Sequence, residues 1–298
     1  MSYRIERGKK PASEVRRIVR EQLDRALCES AALGGVGEVK AVHGIRKRIK
    51  KIRAVLRLVK KEVGAELFHE ENRRLRSASC SFSGVRDANV QLQVLEKVRD
   101  SAGLEAGAFA GVISYLMRER EDATERQKTQ QHEAVALLES LQDRLDGWLL
   151  DPVGLETLCS ALERTYRKGR DCLRHALDHQ TAENFHSWRK HTKNVWYQGR
   201  MLQELNPEVM CEISEAADRL GGHLGDLHDL AFLRESLVSA GVVTVSEKEV
   251  LLGLICAREK ALEQTAVDLG CRFYAEKPGA FGRCLLRYAG DSPSTRQA

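Results

Sequence analysis

Two stretches of this chain set imidazole and cationic groups at matching intervals, and the chemistry such a pattern serves is the binding of an anion. Between Lys40 and Lys61 there are ten Lys or Arg and no Asp or Glu. A helix turns 100° per residue, so His43, Arg46, Lys47, Lys50 and Arg57, at offsets 0, 3, 4, 7 and 14, share one face. Starting from His186, the same offsets carry Arg189, Lys190, Lys193 and Arg200. Tyr197 joins the polar face of that second set and can give a hydroxyl to a phosphate oxygen. Arginine suits forked hydrogen bonds to phosphate, and lysine supplies a mobile point charge. Histidine adds charge when a phosphate raises its pKa, although neighbouring Arg and Lys oppose this, so a mild strengthening of binding below about pH 6.5 is expected.

Further basic groups are candidates for the same lining: Arg16 and Arg20 on the first helix, Arg73 and Arg76 in "ENRRLRSAS", and Tyr166, Arg167 and Arg170 in "ERTYRKGRD". Like charges spaced i,i+4 destabilise an isolated helix by a few tenths of a kcal/mol each. An ordinary solvated helix alternates its signs, as "RERED" does at 118–122. The simplest compensation for a stripe that excludes acids is therefore an anionic ligand.

Catalytic machinery is not visible. The chain has no G-x-x-x-x-G-K-[ST] phosphate loop, no G-x-S-x-G elbow, and no Glu-x-Glu-x-Lys run to hold a metal triphosphate. His175 and His179 are four apart, and His223 precedes His228 and Asp229, but no His-Glu-x-x-His motif supports them; neither a metal nor a cofactor is expected. Asp87 and Asp229 are read as orienting neighbours or capping helices. The eight cysteines are scattered with no Cys-x-x-Cys pair, as in reduced cytosolic proteins.

The elements that must position the stripes are helices. Aromatic residues are 5% of the 298-residue chain and charged residues 31%, with 42% hydrophobic, a balance of long amphipathic helices rather than sheets. Net charge is +5, but residues 1–61 hold 18 Lys and Arg against 6 Asp and Glu, so the remainder is net acidic and the positive field is focused. Val42, Ile45, Ile49, Ile52, Leu56 and Val59, spaced by threes and fours, form the apolar side of one helix from Ala41 to Val63, about 34 Å long. On the second stripe Trp188, Val195 and Leu202 face the core, and Trp196, at the boundary, is assigned to the core as well.

Pro11 opens an amphipathic helix with Val15, Ile18, Val19 and Leu23 on one side, which "LGGVG" at 33–37 ends. "SFSG" marks a turn before "VRDANVQLQVLEKV", residues 104–149 read as one or two long helices, and "DPVG" at 151–154 is a joint with Pro152 in a first helical turn. Pro207, Pro278 and Pro293 fall where helices start or loops run. The two basic stripes are offset by 143 residues, and Asp87 of "VRDANVQL" by 142 from Asp229 of "LHDLAFLR". A constant offset predicts a duplicated all-α protein, with one helical bundle over 11–150 and a second over 151–290 about a pseudo-twofold axis.

With its paired His-x-x-Arg-x-x-x-Lys helices, the "TYRKGR" segment and "FHSWRKHTKNVWYQGRML", the chain resembles the CHAD family of helical domains named for their histidines, from about Pro11 to near Tyr288. The resemblance implies two four-helix-type bundles around a basic central channel that binds inorganic polyphosphate, often at polyphosphate granules. It places His43, Arg46, Lys50, Arg53, His186, Arg189 and Lys193 along that channel. Trp196 stands where the first half has Arg53, and Ser83 replaces an expected glycine, which implies an asymmetric channel dominated by the first half. The implied role is non-catalytic binding, with docking on granules or recruitment of polyphosphate-metabolising enzymes.

Nucleic acid is the alternative ligand, since a strongly basic segment attracts any phosphate backbone at low salt. Single-strand binders interleave aromatic platforms for the bases, and residues 40–61 contain none. A phosphohydrolase or polyphosphate kinase is disfavoured by the missing motifs. No apolar run approaches the length of a membrane span, and "MSYRIERGKK" lacks the apolar core of a signal peptide, so a cytoplasmic location is expected.

Overall fold

The computed structural model describes residues 3–239 and 244–290; Pro293 lies outside them. Among the described residues there are eleven α-helices, two 3-10 turns and no strand. In chain order the helices are α1 (Pro11–Ser30), α2 (Glu38–Leu58), α3 (Lys60–Val63), α4 (Ala65–Ser81), α5 (Gly84–Ser101), α6 (Ala110–Arg144), α7 (Leu155–Asp178), α8 (Ala182–Met201), α9 (Pro207–Ser239), α10 (Val245–Phe273) and α11 (Pro278–Gly290).

The helix signals act as their chemistry requires. Pro11 occupies the first turn of α1, where its missing N–H is no loss, and Val15, Ile18, Val19 and Leu23 are fully buried. The Thr181 side chain caps α8 by accepting from the Asn184 N–H at 3.2 Å, and Thr244 caps α10 in the same manner. The break between α4 and α5 falls on Phe82 and Ser83, within the "SFSG" turn, because the Phe82 ring is turned fully into the core. Residues 110–144 form a single 35-residue helix.

Two boundaries differ from the sequence reading. Pro152 lies in the turn before α7, whose N-cap is Gly154, and so is not a first-turn proline. The basic helix ends at Leu58 instead of Val63, at a length of about 31 Å. Val59 leaves helical geometry, and the chain bends through α3 to Gly64, whose φ of 86° a residue with a side chain rarely adopts. The bend keeps both Val59 and Val63 buried while turning the chain back into α4.

Packing brings the two basic helices together. α2 lies on α1 and α8 on α7 and α9, and α2 meets α8 across the middle of the molecule. Ile45, Ile49, Ile52 and Leu56 of α2 and Trp188 and Val195 of α8 are completely buried in one continuous core. Gln198 on α8 donates to the Ala54 carbonyl of α2 at 3.2 Å, a buried tie between them. An N-terminal arm reinforces the junction: the Ile5 N–H donates to the Met201 carbonyl at 2.9 Å, and Arg4 pairs with Glu204 at 3.2 Å. The Tyr3 hydroxyl donates to the Lys51 carbonyl at 3.2 Å.

Helix α10 packs near α8 because Gly270 has no side chain. A Cβ there would run into the Trp188 indole, a fully buried ring with no room to retreat. Gly270→Ala gains helix propensity of up to about 1 kcal/mol, but overpacking of this kind costs about 1–3 kcal/mol. We expect a lower unfolding midpoint in thermal denaturation; an unchanged or raised midpoint would show that the Trp188 contact yields freely.

Candidate functional site: a cationic cleft between α2 and α8

The polar faces of α2 and α8 line a cleft of about 530 Å³. From α2 come His43, Arg46, Lys47, Lys50, Arg53 and Arg57; from α8 come Arg189, Lys190, His191, Lys193, Asn194, Trp196 and Tyr197; and α5 contributes Arg86. Nine of these residues are Lys or Arg, and none is Asp or Glu. Helical periodicity dictates this outcome: the apolar stripe of each helix is consumed by the core, so the cationic stripes are left facing one another.

Carboxylates stand behind the cations and fix some of them. Lys193 Nζ is 3.0 Å from Asp218 Oδ1, and Arg86 Nη1 is 3.0 Å from Asp87 Oδ1. His228 contacts Asp229 at 3.0 Å and stacks on His186 with ring centroids 4.7 Å apart. Asp87 and Asp229 therefore orient neighbours, and neither caps its helix. On the α2 side, neutral acceptors do this work: Arg46 donates to the Ser79 carbonyl at 2.5 Å, Arg53 to Asn72 at 3.1 Å and Arg57 to the Arg53 carbonyl at 2.9 Å.

Burial and the crowding of like charges disfavour the protonated form of several groups in the cleft. Burial, then the charges of Arg86, Arg46, Arg189 and Lys193, push the Lys50 ammonium down to about 7. Arg57 is pushed down to about 10, chiefly by burial. His191 in the cleft, and His186, which the sequence placed in the lining but which stacks on His228 outside it, are both pushed down to about 4, by burial first and neighbouring cations second, and His43 is lowered for the same reasons. The Nε groups of Arg46 and Arg189 are buried without a hydrogen-bond partner. Unmatched donors beside uncompensated cations suit an incoming anion rich in acceptor oxygens.

Several residues singled out in the sequence sit elsewhere. Arg16 and Arg20 approach Asp146, with Arg16 also donating to the Trp148 carbonyl at 3.1 Å. Arg73 pairs with Glu70 and Arg167 with Glu163. Tyr166 is a core residue whose hydroxyl bonds to the Phe273 and Glu276 carbonyls; burial pushes it up to about 12, with nearby Arg170 opposing the rise. Arg76 is exposed on α4, close enough to depress the pKa values of Arg53 and Lys190. Arg200 lies 5.4 Å from the Trp196 ring centroid, outside the cleft lining.

Other members were not singled out. Trp196, assigned to the core from its boundary position, is only partly buried, lines the cleft and takes Lys193 over its ring at 4.6 Å. Arg86 carries no signal of its own, standing beside an acid on a different helix. His191 and Asn194 follow from α8 alone, because the cleft wraps further round that helix than a single stripe. Among the described residues no group of three His, Cys, Asp or Glu side chains is placed to hold a metal ion, and no helix is long and apolar enough to cross a membrane.

The described residues are all-helical, as the resemblance implied. The family model for the CHAD domain matches residues 17–238, and the chain belongs to that family. Among solved structures, PptA from Streptomyces chartreusis is similar, with a TM-score of 0.64 at 14% identity over 90% of this chain and 100% of that one, a likeness of fold. No curated protein matches the sequence.

The shifts predict the pH response of anion binding. A bound anion favours the protonated amine, so affinity is full below the free-state pKa of Lys50, near 7, and declines above it as a proton must be taken up with the ligand. His186, near 4, stays neutral from pH 5 to 8, which removes much of the strengthening expected below about pH 6.5. Calorimetric titration with long-chain polyphosphate, whose internal phosphates stay ionised throughout, should show affinity flat from pH 5 to 6.5 and falling from 7 to 9, with the fall abolished in Lys50→Arg. A rise below pH 6.5 that His186→Gln removes would return the effect to histidine.

Proposed function

We propose that the protein is a non-catalytic binder of inorganic polyphosphate, held in the cleft between α2 and α8. The observation that carries this reading is the lining: nine Lys and Arg from three helices and no carboxylate. Polyphosphate offers about one negative charge per repeat and no bases, so a site for it needs closely set cations and little else. Family membership supports the reading. We also read the chain as a duplication: α1 and α2 are followed after about 143 positions by α7 and α8, and the single α9 stands where the first half has α4 and α5.

Bound at the cleft, the protein would dock on polyphosphate granules in the cytoplasm or bring polyphosphate-metabolising enzymes to them. Nucleic acid is the second reading, favoured by one observation: Trp196 places an aromatic ring in the lining. That ring already carries Lys193 and has Arg200 close by, so base stacking would have to displace them. Nucleic acid is accordingly a non-specific competitor.

The test is a competition titration near physiological salt, with long-chain polyphosphate set against single-stranded RNA and duplex DNA of equal total charge. Polyphosphate should win, and an Arg46→Glu, Lys50→Glu double variant should lose at least about a hundredfold in affinity, because two charge-assisted contacts of roughly 1.5–3 kcal/mol each are reversed. Arg16→Glu with Arg20→Glu, removed from the cleft, should bind as wild type does. Equal competition by RNA would overturn the ligand assignment. Phosphate release from the polymer with Mg²⁺ or Mn²⁺ present would overturn the non-catalytic one.

Asp218→Asn releases Lys193 to the cleft. We expect polyphosphate affinity to rise up to about fivefold, the range of a partly exposed ion pair. A loss of affinity would mean that Asp218 positions Lys193 for the ligand rather than competing with it.

A further inference from the structure

Lys50 differs from every other lysine of the cleft. Lys47 and Lys190 are exposed, and Lys193 is tied to Asp218. The Lys50 amine is partly buried and surrounded by cations: Arg46 one turn earlier on α2, Arg86 from α5, and Arg189 and Lys193 from α8. Asp87, Asp218 and Asp229 behind this group are each engaged with another side chain, Arg86, Lys193 and His228 respectively. Among the described residues none pairs with Lys50. Such surroundings keep the amine largely as free base just above neutrality, where an exposed lysine is almost wholly protonated. A free amine is a nucleophile, and the guanidinium groups beside it are suited to hold a phosphoryl group.

We propose that Lys50 is a modification site, acylated by small acyl phosphates whose phosphoryl group is held by Arg46, Arg86 and Arg189. The Nζ lone pair forms a C–N bond to the acyl carbon, and the bond from that carbon to the bridging oxygen breaks. Phosphate departs with the electron pair and takes up the proton lost from nitrogen. The product is a neutral amide that cannot take up a proton when a polyanion arrives, so the hold of the cleft on a polyanion weakens. The inference rests on reading the cleft as a phosphate site, and it adds a chemical means of turning that site down.

The experiment is timed incubation of the folded protein with acetyl phosphate at about pH 7.5, with peptide mass spectrometry of every lysine. Lys50 should be acetylated at least roughly tenfold faster than the exposed Lys47, Lys60 and Lys190, its much larger free-amine fraction outweighing its lower basicity and partial burial. Excess inorganic phosphate should protect it. Arg189→Gln should slow labelling of Lys50 by acetyl phosphate but not by acetic anhydride, which has no phosphoryl group to anchor, with circular dichroism confirming that the variant folds. Labelling that follows exposure alone, with Lys50 no faster than Lys47, would overturn the proposal, as would an equal loss with both reagents in the Arg189 variant. Polyphosphate binding is measured separately. Selective labelling in a protein that does not bind the polymer would defeat the proposed function and leave this inference standing, and the reverse result would do the opposite.

Discussion

Two cationic helix faces are held against each other, and everything else in the molecule serves that confrontation. Left alone, α2 and α8 would repel across the cleft. They are kept together because their opposite faces share a core in which Ile45, Ile49, Ile52, Trp188 and Val195 have no contact with solvent. Each aliphatic or aromatic side chain buried in this way contributes about 1.5–3 kcal/mol. A helix whose charged face is destabilising is thus kept in place by its uncharged one. Burial, and after it this repulsion, depresses pKa values along the cleft, most of all for Lys50, with Arg57 and His191 next.

The carboxylates stand behind the cleft and not in it. None enters the lining, where it would occupy the cations, yet Asp87, Asp218 and Asp229 each hold one basic group from behind. On α2 the same duty falls to neutral acceptors, Ser79, Asn72 and the Arg53 carbonyl. The two walls differ as a result. Among the described residues the cations of the α2 wall have no carboxylate partner, whereas Lys193 on the α8 wall is paired with Asp218 and Trp196 stands there in place of another guanidinium.

Much of this was legible in the sequence because helical periodicity is strict. Once Val42, Ile45 and Ile49 are placed in the core, Arg46 and Lys50 have one direction left to point. The same argument located α8 and its stripe, and the all-α class followed from composition. Where the sequence reading strayed, it passed over pairing acids, some within one helical turn and some brought near only by the fold. Arg16, Arg20, Arg73 and Arg167 have the right chemistry, but each finds an acid nearby, and for Arg16 and Arg20 that acid, Asp146, lies more than a hundred positions away. Tyr166 sits in an Arg-rich segment yet faces inward, where the carbonyls of Phe273 and Glu276 satisfy its hydroxyl. Arg86 is the converse case, a group with an acid beside it in sequence that the packing of α5 brings into the cleft.

The N-terminal arm has a kinetic meaning. Arg4 and Glu204 are 200 positions apart, so seating the arm closes a very long loop, at an entropic cost of about 4–5 kcal/mol beyond a constant term. Contacts of that span reward the chain only after most of it has folded. During synthesis the arm emerges early and waits for α8, while the basic face of α2 stands uncovered by its counterpart. In the finished protein Tyr3 and Ile5 are buried in that same core, so the arm cannot lift without exposing apolar surface, and the last piece to be seated becomes a clasp over the junction.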